Sequence, residues 1–175
     1  MTRKVTRAAA RIAVGLQDRL YLGNLNSLRD WGHARDYVKA QWLILQAEQP
    51  DDFVIATGKQ YSIRELCERS FAELGIELEW QGAGVNEKGL VKTVSKSDIR
   101  LKPGQVVIEV DPAYFRPTEV ETLLGNPAKA KAKLGWTPET SFEDMIAEMV
   151  EFDLAEARRD QLCKDSGFKV MEFKE

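Results

Sequence analysis

Residues 52–58 read Asp-Phe-Val-Ile-Ala-Thr-Gly, with an unbroken apolar run from Phe53 to Ala56 closed by Thr57 and Gly58. A strand buried on both faces reads this way, and such strands belong to parallel sheets covered by helices. The flanks agree with that reading. Upstream, residues 34–48 predict a helix whose apolar set is Tyr37, Val38, Trp42 and Leu45, stopped by Gln49, Pro50 and Asp51. Downstream, Ser62 and Glu65 have the spacing of a capping box, with Tyr61 and Leu66 placed as a hydrophobic staple. Ile63, Leu66, Cys67, Phe71 and Leu74 then mark the buried stripe of a helix that ends at Gly75.

Working outward, residues 2–16 carry Val5, Ala8, Ala9, Ile12, Ala13 and Leu16 on one helical face, with Arg3, Lys4, Arg7 and Arg11 outside it. Residues 19–25 predict a strand leading into a loop at 26–30. Ile76, Leu78 and Trp80 alternate with Glu77 and Glu79, the period of a half-buried strand, and a Gly- and Lys-rich loop follows to about Gly104. Residues 106–110 form another strand. Asn126 and Pro127 make an N-cap and first-turn pair for a helix ending at Gly135, and Ser141 caps a last helix through about Ala157, after which residues 158–175 are expected to fray. No repeat, low-complexity tract or linker divides the chain, so residues 1–175 predict a single α/β unit.

Composition narrows the function classes. The chain has 175 residues, 43% hydrophobic and 30% charged, enough for a core without disulfides or metals. No apolar run approaches the ~20 residues of a membrane span, and the Arg-rich start lacks the apolar core of a signal peptide, so a cytoplasmic protein without a membrane partner is expected. Two distant cysteines and one histidine, Cys67, Cys163 and His33, leave no zinc site, disulfide framework or Ser-His-Asp triad. Net charge is −3, yet residues 1–40 hold eight basic and three acidic side chains, a segment suited to meeting an anion. A pI of 5.4 and the lack of aromatic residues among the basic ones argue against nucleic acid.

Two catalytic signatures fail. The strand at 76–80 is followed by Gly82, Ala83 and Gly84, but Glu87 holds the third glycine position and no helix start follows to receive a pyrophosphate. Tyr21, Tyr37, Tyr61 and Tyr114 are followed four residues on by Leu25, Gln41, Glu65 and Thr118, so no tyrosine base has a lysine at helical spacing. Anion-binding candidates remain. Arg116 of Arg116-Pro117-Thr118-Glu119 stands on a loop, with Glu119 in a possible first helical turn. A guanidinium forks two phosphate oxygens and a carboxylate accepts both hydroxyls of a ribose, although a surface Arg–Glu pair is the plainer reading of the spacing alone. Arg29 of Arg29-Asp30-Trp31 precedes a helix, where an Arg–Asp capping contact with Trp31 in the core is the plainer alternative. Arg3 and Lys4 sit at the first helix's N-terminus, and His33 caps or packs.

The stretches Thr2-Arg3-Lys4, Leu22-Gly23-Asn24-Leu25, Arg29-Asp30-Trp31-Gly32-His33-Ala34, 52–58 and Tyr114-Phe115-Arg116-Pro117-Thr118-Glu119-Val120-Glu121 resemble the C-terminal half of the GDP-mannose 4,6-dehydratase family. Asn126-Pro127 through Leu134-Gly135-Trp136-Thr137-Pro138 is similar to a motif of the wider extended short-chain dehydrogenase/reductase superfamily. The resemblance implies the substrate-binding lobe of that fold with a partial Rossmann sheet, an incomplete doubly wound arrangement. It implies GDP-mannose as ligand and, in the whole family enzyme, NADP, which oxidises C4 of the mannose before water is lost across C5 and C6 and the hydride returns to C6.

The family's Thr/Ser, Glu, Tyr and Lys catalytic set and its NADP loop belong to an N-terminal half not found in these residues. This chain alone is therefore expected to be inactive and to hold no cofactor, with the missing half or a homo-oligomer partner completing it. By resemblance Lys4, Arg29, Arg116 and Glu119 face the GDP moiety, Arg116 near the phosphates and Glu119 at the ribose. A non-catalytic GDP-sugar-binding module and another nucleotide-sugar epimerase or reductase are the alternatives.

Overall fold

The computed structural model describes residues 1–170. Its elements run α1 (Thr2–Ala13), β1 (Leu20–Leu22), β2 (Leu28–Arg29), α2 (Ala34–Leu45), β3 (Tyr61–Ser62) and α3 (Ile63–Glu73). They continue with β4 (Ile76–Gln81), β5 (Lys88–Val94), β6 (Val106–Val110), β7 (Thr122–Leu123), α4 (Ala128–Leu134) and α5 (Phe142–Asp165). The sequence reading expects one unit; the chain instead divides into two compact ones. The first takes Met1–Leu25, Arg64–Glu119 and the chain from Ile146, and the second takes Asn26–Ile63 and Val120–Met145. No linker composition announces this division because two of the crossings, at Ile63 and Met145, fall inside α3 and α5.

In the first unit the sheet order is β1-β6-β5-β4, with β1 and β6 parallel and the other pairs antiparallel. Leu20, Leu22, Ile76, Val91 and Ile108 are fully buried, as are Val5, Ala8, Ala9 and Ile12 of α1 and Leu66, Cys67 and Phe71 of α3. The predicted loop after β4 instead contains β5. A bulge between Gly89 and Leu90 breaks the period of two and buries Gly89, Leu90 and Val91 in succession, which hides the strand from a search for alternation. Burial on α1 also extends past its apolar stripe to Thr6 and Arg11. Thr6 Oγ1 donates to Asp153 Oδ2 at 2.7 Å, Arg3 pairs with Asp153 at 3.2 Å, and Arg11 pairs with Asp160 at 3.0 Å. Asp153 and Asp160 lie two turns apart, so α1 and α5 run in the same direction, with Ala10, Val14 and Ala157 in their seam.

The second unit is built around Trp136, packed with Ala40 and Ala130 and bordered by Tyr37, Leu43, Phe53, Ile55 and Leu134. Its sheet, ordered β3-β2-β7, has strands of two residues each. Residues 53–56, predicted as a strand buried on both faces, join no ladder among the described residues; Ala56 is buried but Val54 is 54% exposed. The end of the run is secured by Asp30 instead, whose carboxylate accepts hydrogen bonds from the Thr57 N–H and hydroxyl and from the Gly58 N–H at 2.6–2.9 Å. α2 also departs from expectation. Val38, Trp42 and Leu45 share one helical face, as predicted, but that face is exposed, while Asp36 and Ala40 are buried.

Helix ends follow capping chemistry. His33 Nδ1 accepts the Arg35 N–H at 3.1 Å, and Asn126 Oδ1 accepts the Ala128 N–H at 3.0 Å, so α4 starts one residue later than predicted, with Pro127 as N-cap. Ser141 Oγ accepts the Asp144 N–H at 3.0 Å and donates to Asp144 Oδ2 at 2.6 Å. α5 continues to Asp165, past the point where fraying was expected, with Arg159 paired to Glu156 at 2.8 Å; residues 171–175 of the predicted tail lie outside the described residues. Trp31 and Tyr61 both stack on Phe142, at 5.7 and 3.9 Å between ring centroids. Among the described residues no helix is long and apolar enough to cross a membrane.

Asp36 joins α2 to the chain beyond Trp136. Its Oδ2 accepts the Glu139 and Thr140 N–H groups at 3.1 and 2.9 Å, and its carbonyl accepts the Trp136 indole N–H at 2.9 Å. Burial pushes the Asp36 carboxyl up, but the Thr140 and Glu139 N–H donors outweigh it and hold the group below its ordinary value. A depressed folded value means stability that is present above the unfolded value of about 4 and lost as pH falls through the folded one. Asp36→Ala is expected to cost about 1.5–3 kcal/mol in denaturant unfolding at pH 7, and that deficit should shrink below pH 4.

Candidate functional site

The parallel register of β1 and β6, Leu22 opposite Val110, brings both chains out of the sheet at one end. Asp111 N–H donates to Leu22 O at 2.8 Å, and Asp111 then folds the following loop around itself. Its carbonyl accepts the Tyr114 and Phe115 N–H groups at 2.9 and 3.0 Å, and its Oδ1 accepts the Ala113 N–H at 2.8 Å. Gly23 passes against this turn so closely that a Cβ would stand 2.2 Å from the Tyr114 carbonyl oxygen. Asn24 closes on the next residue with both ends of its amide: Oδ1 accepts the Arg116 N–H and Nδ2 donates to the Arg116 carbonyl, each at 2.9 Å.

Three of the four predicted site residues belong to this neighbourhood. Lys4 reaches from α1 to stand 4.4 Å from the centre of the Tyr114 ring. The Arg116 side chain is 75% exposed, and its Nη1 lies 4.0 Å from Glu119 Oε2. That is the long end of an ion pair, of little energetic weight at a surface. Glu119 follows a turn and not the helical start allowed for it, and the next helix, α4, begins only at Ala128. Two cations and a carboxylate thus border one loop whose backbone is fixed from below. A guanidinium so placed can fork an anion, and the carboxylate can accept hydroxyl protons.

Arg29 lies in the second unit. Its Nη1 donates to the carbonyls of Leu28 and Val120 at 2.8 Å, while the Asp30 carboxylate accepts from Thr57 and Gly58. Arg3 is committed to Asp153. Gly82 and Gly84 turn β4 into β5 through a single 3-10 turn, Gly84–Asn86, and open no α-helix, so this cluster does not fit a dinucleotide pyrophosphate. Gly23 and Asn24 have no assigned role from sequence alone. Their signal is a Gly-Asn pair directly after a predicted strand, a turn signature that does not disclose its distant partner.

The family described as GDP-mannose 4,6 dehydratase matches residues 1–149. A GDP-mannose 4,6-dehydratase of Yersinia enterocolitica is 56% identical over 171 residues, 97% of this chain and 46% of that protein. The human GDP-mannose 4,6 dehydratase is 46% identical over 154 residues, 88% of this chain and 39% of its own length. The chain thus spans less than half the length of these relatives.

Among solved structures, RMD from Pseudomonas aeruginosa complexed with NADPH superposes with a TM-score of 0.65 at 20% identity, covering 89% of this chain and 42% of that one. UDP-glucose 4-epimerase from Bifidobacterium longum with NAD+ and UDP gives 0.59 at 17%, over 89% and 40%. At such identities the likeness is one of fold, an α/β chain with partial mixed sheets of the kind found in nucleotide-sugar epimerases and dehydratases. With its sequence matched from residue 1 to 149 and close to half its positions or more identical to each of these two relatives, the chain belongs to the GDP-mannose 4,6-dehydratase family.

Proposed function

We propose that residues 1–175 form the GDP-sugar-binding portion of an NADP-dependent GDP-mannose 4,6-dehydratase. The observation that carries this reading is the gathering of Lys4, Arg116 and Glu119 around one backbone-anchored loop. In this reading Arg116 forks the diphosphate, Lys4 adds a second positive charge, and Glu119 accepts the ribose hydroxyls. Arg29 is kept as a further contact to the GDP moiety on the resemblance of its sequence stretch alone.

We assign catalysis and NADP binding to parts of the family protein beyond these residues, since no tyrosine here has a lysine four residues on and the Gly82–Gly84 turn opens no α-helix. GDP-mannose incubated with the purified chain and NADP should therefore yield no 4-keto sugar above a heat-killed control. Turnover would show that these residues carry a catalytic set of their own.

Arg116→Ala should weaken GDP binding ten- to a hundredfold by calorimetric titration, the loss of a charge-assisted contact worth roughly 1.5–3 kcal/mol. Glu119→Gln should cost less, because an amide oxygen still accepts one hydroxyl. Equal affinity in Arg116→Ala would leave that residue as a surface partner of Glu119.

The exposed face of Val38, Trp42 and Leu45, with Val54 also exposed, fits a surface covered in the whole family protein by the portion lying outside this chain. The chain by itself should accordingly self-associate in light scattering and bind a hydrophobic dye. A monodisperse monomer that binds no dye would contradict this.

A further inference from the structure

We infer that Asn24 is a positioning residue for the anion-binding loop, holding the Arg116 backbone in its ligand-ready place; this rests on the reading of Arg116 as a diphosphate contact. The carboxamide carries one acceptor and two donors, and it meets Arg116 as a neighbouring strand would, taking the N–H and giving to the carbonyl at 2.9 Å each. Both ends of the amide are thereby used on the loop. The preceding residue is glycine where the chains approach too closely for a side chain, and Asp111 gathers Ala113, Tyr114 and Phe115 from the other side. Every one of these contacts is to backbone. The Arg116 side chain stays 75% exposed while its Cα is fixed from two directions.

This division of labour is what preorganisation requires. A loop ordered before binding does not lose its backbone freedom when the ligand arrives, and fixing one residue's backbone corresponds to roughly a five- to thirtyfold change in affinity. Asn24 therefore acts on affinity only through Arg116.

The test is a calorimetric double-mutant cycle with GDP, using the full chain well below each variant's melting temperature. Asn24→Ala should weaken GDP about five- to thirtyfold, and Asn24→Asp, which keeps the acceptor but loses the donor to the Arg116 carbonyl, should also weaken it. It serves as the probe if Asn24→Ala does not fold. The Asn24→Ala/Arg116→Ala pair should bind no more weakly than Arg116→Ala alone, and hydrogen exchange at the Arg116 amide should accelerate in Asn24→Ala, which removes its acceptor. Losses that multiply in the pair, or Asn24 variants with unchanged affinity, overturn the positioning role while leaving the anion reading of Arg116 intact. A wild-type chain that binds no GDP, or Arg116→Ala with full affinity, overturns that reading and the positioning role together.

Discussion

Two strands that leave a sheet in the same direction, β1 and β6, carry the candidate site between them. Their parallel pairing sets Leu22 beside Val110, so the residues after each strand emerge side by side, and the hydrogen bond from Asp111 to Leu22 continues the pairing beyond the sheet. Everything further follows from that edge. Gly23 permits the close approach to Tyr114, Asn24 grips Arg116, and Tyr114 offers its ring to Lys4. Slippage by one residue between β1 and β6 would turn Leu20 and Leu22 out of the core and separate Asn24 from Arg116 at once.

The basic N-terminal segment takes on a different meaning in three dimensions. Its excess of positive charge suggests an anion-binding surface, yet much of it is met by carboxylates from elsewhere in the chain. Arg3 and Arg11 face Asp153 and Asp160, Arg19 pairs with Glu109 at 2.7 Å, and Lys39 pairs with Glu139. The Glu109 carboxyl is held below its ordinary value by the hydrogen bond from Arg19 and a further one from Lys88. Charge asymmetry along the sequence is therefore largely architectural, since it orients α1 against α5 and ties β1 to β6. Lys4 and Arg116 are distinguished by their setting, one over an aromatic ring and the other extended from a fixed loop, more than by charge alone.

What was legible in the sequence was whatever repeats at a local period. The stripes of α1 and α3, the alternation of β4 and the serine cap of α5 all read correctly. β5 did not, because its bulge destroys the period, and β2, β3 and β7 are too short to have one. The stripe Val38-Trp42-Leu45 was read with the right spacing and the wrong environment, since periodicity reveals a face but not what covers it. Of the candidate site, the residues were named from sequence but not the contacts that hold them. Family motifs pointed to Lys4, Arg29, Arg116 and Glu119, but the clasp that holds Arg116 joins residues 92 positions apart. No local spacing announces such a contact.

The central claim is that the loop held by Asn24 presents Arg116 to a nucleoside diphosphate. A crystal structure of the chain grown with GDP tests it most directly. The account predicts the diphosphate within hydrogen-bonding distance of the Arg116 guanidinium, the ribose hydroxyls on Glu119, and the Asn24–Arg116 pair unchanged. GDP bound elsewhere on the chain, with Arg116 still turned to Glu119 and solvent, would contradict it.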